Sequence, residues 1–150
     1  MSEDVLSLFH PVVAAWFREK VGRPTPPQQQ GWPSIASEQN TLILAPTGSG
    51  KTLAAFLACL DKLWKEHERE PGVQLLYISP LKALNNDVYR NLHVPLQGVQ
   101  QIAERLGQKL PDISVALRTG DTPTQERQRQ LRKPPDILIT TPESLHLLLT

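Results

Sequence analysis

The residues with the clearest chemical potential form one run, Ala45-Pro46-Thr47-Gly48-Ser49-Gly50-Lys51-Thr52. Its end matches the phosphate-loop pattern G-x-x-x-x-G-K-[S/T], with Ala45 where the first glycine usually stands. Small residues there let backbone N–H groups approach an anion, and a helix opening at Lys51 aims its N-terminus at the same point. Lys51 would lie on the β- and γ-phosphates of a nucleoside triphosphate, and the Thr52 hydroxyl on a magnesium ion, Mg2+. A glycine-rich turn with a merely solvated Lys51 is the plainer alternative. The flanks argue against it. Thr41-Leu42-Ile43-Leu44-Ala45 reads as a short buried strand, and Leu53, Phe56, Leu57, Leu60, Leu63 and Trp64 recur at helical spacing after the loop.

Such a loop needs a sheet to carry it. The 14 prolines in 150 residues fall between periodic segments and punctuate them, so they help to mark the elements. Helices are expected over about Pro11–Lys20, with Val12, Val13, Trp16 and Phe17 on the apolar face, and from Gln28 to about Ser37. The helix from Lys51 turns polar from Lys65 to Glu70 and stops at Pro71-Gly72. Strands are expected at Val73–Ser79, Ile113–Leu117 and Asp136–Thr140. Further helices are expected at Asn85–Leu92, Leu96–Leu110 (ended by Pro111), Thr124–Arg132 and from Thr141-Pro142. Alternating strands and helices indicate the α/β class, a mainly parallel sheet covered by helices on both faces.

Bulk properties narrow the function classes. A hydrophobic fraction of 39% with 21% charged residues suits a packed chain and argues against disorder. A net charge of +1 means that any nucleic-acid contact comes from a local surface rather than bulk attraction. Cys59 is the single cysteine, which excludes an internal disulfide or a Cys-based metal site. His10, His67, His93 and His146 have no mutual metal-ligand spacing, and Trp16, Trp32 and Trp64 read as core. Arg127, Arg129, Arg132 and Lys133 read as a solvated helix face in preference to a nucleic-acid contact. The acidic start Met1-Ser2-Glu3-Asp4 is unlike a signal peptide, and the longest strongly apolar run, Leu53 to Leu60, is far short of the ~20 residues of a membrane span. A cytoplasmic protein with no membrane partner is expected.

The wording of the loop, with its leading alanine, resembles superfamily 2 helicases, and four other stretches agree. Pro24-Thr25-Pro26-Pro27-Gln28 is similar to the Q motif, in which a glutamine amide both donates to and accepts from adenine. Gln29 and Gln30 stand alongside, and register with P-T-P selects Gln28. Ser79-Pro80-Leu81-Lys82-Ala83-Leu84-Asn85-Asn86-Asp87 resembles motif Ia, which implies that Lys82 contacts a nucleic-acid phosphate. Arg118-Thr119-Gly120-Asp121-Thr122 resembles the T-G motif: Gly120 would allow backbone approach to a strand phosphate and Arg118 would supply charge, with Asp121 a like-charge penalty. A plain turn with Asp121 bonding local backbone is the equal alternative. Thr141-Pro142-Glu143-Ser144-Leu145 resembles motif Ib, with Thr141 as N-cap, Pro142 at the first helical position and open N–H groups toward an anion.

Together these stretches resemble the large helicase-related (Lhr) group of ATP-driven 3′–5′ translocases. The resemblance implies a RecA-like P-loop NTPase fold, ATP with Mg2+ as cofactors, and a nucleic-acid partner: single-stranded DNA first, RNA or a hybrid as alternatives. It also implies an acidic D-E-x-H motif on a further strand, to hold magnesium and activate water, and a second RecA-like domain. The only adjacent carboxylates are Glu3-Asp4, so no catalytic residue is expected within residues 1–150, which read as part of a first motor domain cut before the D-E-x-H strand. A P-loop ATPase of another class and a non-catalytic nucleotide- or nucleic-acid-binding module are the competing readings.

Overall fold

A computed structural model describes residues 4–46, 50–66 and 68–150. It contains two compact units: the described residues before Glu68 with Gln97–Pro111, and Glu68–Leu96 with Asp112–Thr150.

The first unit is helical. A short 3-10 turn, Val5–Leu8, leads to α1 (Pro11–Lys20), where His10 caps the Val12 N–H and Pro11 sits where its missing N–H costs nothing. Helix α2 (Pro26–Ala36) starts two residues before the sequence expectation, because Pro26 and Pro27 occupy the first turn rather than a preceding loop. Helix α3 (Lys51–Lys65) buries Phe56, Leu57, Leu60, Leu63 and Trp64. Trp32 is fully buried and meets Phe9 and Phe17 edge-on at ring-centroid distances of 4.9 and 5.3 Å. Asp61, almost fully buried on α3, accepts from the His10 N–H at 2.7 Å and pairs with Lys65 at 2.8 Å, which fastens α3 to the start of α1. All three tryptophans are core residues, as the sequence indicates.

Two expectations fail in instructive ways. The segment Thr41–Ala45 has no regular secondary structure, and Leu42 and Leu44 are 83% and 84% exposed. A strand is defined by paired backbone groups, and this segment has no strand pairing among the described residues. The helices expected at Asn85–Leu92 and Leu96–Leu110 are one helix, α4 (Lys82–Arg105), which runs through Pro95. Buried Val88, Leu92, Pro95, Val99 and Ile102 recur every three or four residues across the proline. That continuous stripe outweighs the roughly 3 kcal/mol that an internal proline costs a helix.

The second unit carries the sheet. Strands β1 (Leu75–Ile78), β2 (Val115–Arg118) and β3 (Ile137–Thr140) are parallel in the order β1-β3-β2. Ile78 and Arg118 both lie level with Thr140, so all three strands end on one line. The central β3 is buried along its length, as expected of a parallel strand whose two faces are both covered. Helices α5 (Thr124–Arg132) and α6 (Pro142–Leu149) follow β2 and β3, with starts where the sequence places them. Among the described residues, no helix is long and apolar enough to cross a membrane.

Candidate nucleotide and nucleic-acid sites

In the first unit, Gly50 caps α3 in the left-handed region (φ +83°), which puts Lys51 and Thr52 at the helix's first two positions. Their N–H groups are among those a helix start leaves open, and they suit an anion. Thr47, Gly48 and Ser49 lie outside the described residues; Ala45 is half-buried and Pro46 exposed. Gln28 is 2% exposed. Its Oε1 accepts from the Thr25 N–H at 2.9 Å and its Nε2 donates to the Gly50 carbonyl at 3.3 Å. A Cβ on residue 50 would stand 2.4 Å from that Nε2, so only glycine fits both the backbone turn and the amide. Gln28 therefore ties the Q-like turn to the base of the phosphate loop. One Nε2 hydrogen and one Oε1 lone pair remain, the pair an adenine edge would need.

These groups suit a nucleotide and its metal: an open helix start, an ammonium, an exposed hydroxyl-bearing Thr52, and a glycine where a side chain would collide. Lys51 would neutralise phosphate charge and Thr52 would supply a neutral oxygen ligand to Mg2+. Burial pushes the Cys59 thiol up, so it stays protonated and inert at neutral pH.

In the second unit, the turns after β1, β2 and β3 end on one sheet edge, where parallel sheets bind ligands. Asn85, fully buried in the first turn of α4, donates through Nδ2 to the Ser79 carbonyl at 3.0 Å and the Thr140 carbonyl at 3.3 Å. The turns after β1 and β3 are thus pinned to each other. Lys82 is about half exposed and reaches Asp121 at 3.4 Å, close to Gly120. At the start of α6, Thr141 is buried and its Oγ1 accepts from the Ser144 N–H at 3.3 Å. Leu145 bonds the Thr141 carbonyl and Pro142 has no N–H, which leaves Glu143 as the open donor of an exposed pair, Pro142-Glu143.

The turn Thr119–Thr122 is closed on itself. Thr122 N–H donates to the Thr119 carbonyl, Asp121 N–H to Thr119 Oγ1, and Thr119 N–H to Thr122 Oγ1. Only the Gly120 amide has no partner within it, so the turn that the sequence leaves ambiguous keeps one donor outward. Arg118 is 9% exposed, and its Nε and Nη1 have no hydrogen-bond partner. Burial, and then the neighbouring Arg127 charge, lower its pKa from the ordinary value. Sequence reasoning missed Asn85 and Arg127. A polar pair, Asn85-Asn86, at a helix start directly after a buried strand is the one signal that could have found the first.

Comparisons with known proteins agree with these motifs. The DEAD/DEAH box helicase family model matches residues 25–150. The chain is 52% identical over 149 residues to the "Lhr helicase/ probable uracil glycosylase" of Mycolicibacterium smegmatis, covering 98% of this chain and 10% of that protein. It is 50% identical over 151 residues to the "ATP-dependent helicase Lhr-Core" of Saccharolobus solfataricus, covering 99% of this chain and 17% of that protein. The solved structure of Mycobacterium smegmatis helicase Lhr bound to ssDNA and AMP-PNP superposes with a TM-score of 0.92 at 50% identity, over 98% of this chain and 18% of that one. The chain thus spans between a tenth and a fifth of the length of these relatives. On the match over residues 25–150, the chain belongs to the DEAD/DEAH box helicase family, and within it is similar to Lhr helicases.

Proposed function

We propose that this chain is part of the first RecA-like domain of an ATP-dependent helicase that translocates on nucleic acid, with single-stranded DNA the favoured strand. The loop Ala45–Thr52 holds ATP, Lys51 on its phosphates and Thr52 on Mg2+, while Gln28 reads the adenine. Lys82 and the turns containing Thr119-Gly120 and Thr141-Pro142-Glu143 hold successive phosphates of one strand. The observation that carries the reading is the sheet edge itself. Two open amides, on Gly120 and Glu143, and one half-exposed ammonium, on Lys82, stand on turns fixed by a common strand register. Such an array suits a backbone and not a base sequence. The relative solved with ssDNA and AMP-PNP, a triphosphate analogue, supports both ligands.

Among the described residues no cluster of His, Cys, Asp or Glu could hold a metal by itself. Nucleotide hydrolysis is assigned to the full-length protein, in which the helicase resemblance implies a D-E-x-H aspartate and glutamate and a second RecA-like domain. The test is steady-state ATPase of the full-length protein with and without a single-stranded DNA oligomer. Stimulation by the strand, and a fall of about 100-fold or more in Lys51→Ala, is the expected outcome. An ATPase indifferent to both DNA and RNA would sink the helicase reading.

A further inference from the structure

Arg127, on α5, carries a geometry that no exposed helix face requires. Its Nη2 donates to the Thr119 carbonyl at 2.9 Å and to the Gly120 carbonyl at 3.3 Å. The side chain is half-buried, and its Nε is buried without a partner. A trans peptide holds C=O and N–H in one plane, pointing in opposite directions. Drawing the Thr119 carbonyl toward Arg127 therefore points the Gly120 N–H away from α5, and the Gly120 carbonyl is held on the same guanidinium. The other three amides of the turn are already used internally. Gly120 N–H is thus the single outward donor, and the atom position beside Gly120 that a side chain would occupy is 3.4 Å from the Lys82 ammonium.

We infer that Arg127 is a positioning residue: its forked hydrogen bonds aim the Gly120 amide at the strand phosphate shared with Lys82. This rests on the nucleic-acid reading above and deepens it. The charge setting agrees. Arg118 lies buried beside Arg127 with Nε and Nη1 free, and neither guanidinium forms an ion pair among the described residues, so the turn is backed by two positive charges. A lysine at position 127 would keep the charge but present a point donor in place of the planar fork. The fork, not the charge, is what the geometry requires.

The experiment is fluorescence anisotropy of a labelled single-stranded DNA oligomer on the full-length protein across a salt series, with Arg127→Lys, Arg127→Ala and Lys82→Ala. Both Arg127 variants should bind about tenfold more weakly than wild type, with affinity for a non-hydrolysable ATP analogue unchanged. Their log–log salt slope should stay at the wild-type value, whereas Lys82→Ala should lose about 0.7 of slope, one single-strand phosphate contact. Arg127→Lys binding like wild type would overturn the inference by showing that charge suffices. A slope reduced in Arg127→Ala as in Lys82→Ala would overturn it by making Arg127 a direct contact. Wild-type protein that binds no single-stranded nucleic acid would overturn the functional reading itself.

Discussion

The two units prepare their ligand groups by different means. In the first, one buried side chain links the Q-like turn to the start of α3: Gln28 holds Thr25 with its oxygen and Gly50 with its nitrogen, on a carbonyl that also takes the Ala54 N–H of the helix. In the second, the fixing is shared. Strand register aligns three turns, Asn85 pins two of them, and Arg127 and the closed turn Thr119–Thr122 shape the third. The Gln28–Gly50 link can be lost through one change, while an array aligned by register degrades by parts.

Gly50→Ala is expected to have the largest effect. The new Cβ would lie 2.4 Å from the Gln28 amide at a backbone φ of +83°. The left-handed conformation costs a non-glycine residue about 1–2 kcal/mol, and the collision adds about 1–3 kcal/mol unless Gln28 gives up its bond to Gly50. Affinity of the full-length protein for a non-hydrolysable ATP analogue should fall about 30-fold or more, while nucleotide-free binding of single-stranded DNA changes little. Isothermal titration of both ligands checks the asymmetry. Equal losses for both would mean that the two regions are not prepared separately.

Asn85→Ala should reverse the pattern with a smaller size. Removing the amide strips a donor from the Ser79 and Thr140 carbonyls in a fully buried site, at a cost of about 1–3 kcal/mol. The Thr140 carbonyl keeps the Ser79 N–H at 3.1 Å, which sets the effect toward the lower end. The melting temperature should drop by a few degrees, and strand affinity should weaken about tenfold as the turns after β1 and β3 loosen. Nucleotide affinity should hold. A variant that melts earlier but binds DNA normally would limit Asn85 to a packing role.

The same contrast explains what could be read in the chain. Local signals reported local structure well: Pro11 and the Thr141-Pro142 pair mark helix starts, and the polar period of Thr124–Arg132 gives α5 its bounds. In the structure Gln28 lies against Gly50, Lys51 opens α3, and Lys82 opens the helix after β1. What failed was everything decided by a distant partner. The apolar run Thr41–Ala45 has strand composition, yet a ladder needs a neighbour that composition cannot show, and here Leu42 and Leu44 face solvent. Pro95 reads as a helix end until the buried stripe from Val88 to Ile102 is seen to pass through it. Arg127 looks like one more charge on a polar helix, because nothing in its local spacing reveals the two carbonyls it holds.

The smallest effect sharpens the comparison from the strand side. Asp121 pairs with Lys82 at 3.4 Å, but the two side chains are 80% and 52% exposed. An exposed pair of this kind contributes about 0–1 kcal/mol, so Asp121→Asn should leave the melting temperature within error. Its charge matters more to a ligand. The carboxylate occupies the ammonium that a phosphate would use, and it stands next to the open Gly120 amide. Neutralising it should tighten single-stranded DNA binding about two- to fourfold at low salt, and the gain should fade as the Debye length contracts to roughly 3 Å near 1 M. Anisotropy titrations at two salt concentrations resolve this. Weaker binding in Asp121→Asn would show instead that the carboxylate serves to hold Lys82 in place, and the second region would then contain a single-contact link like Gln28–Gly50 in the first.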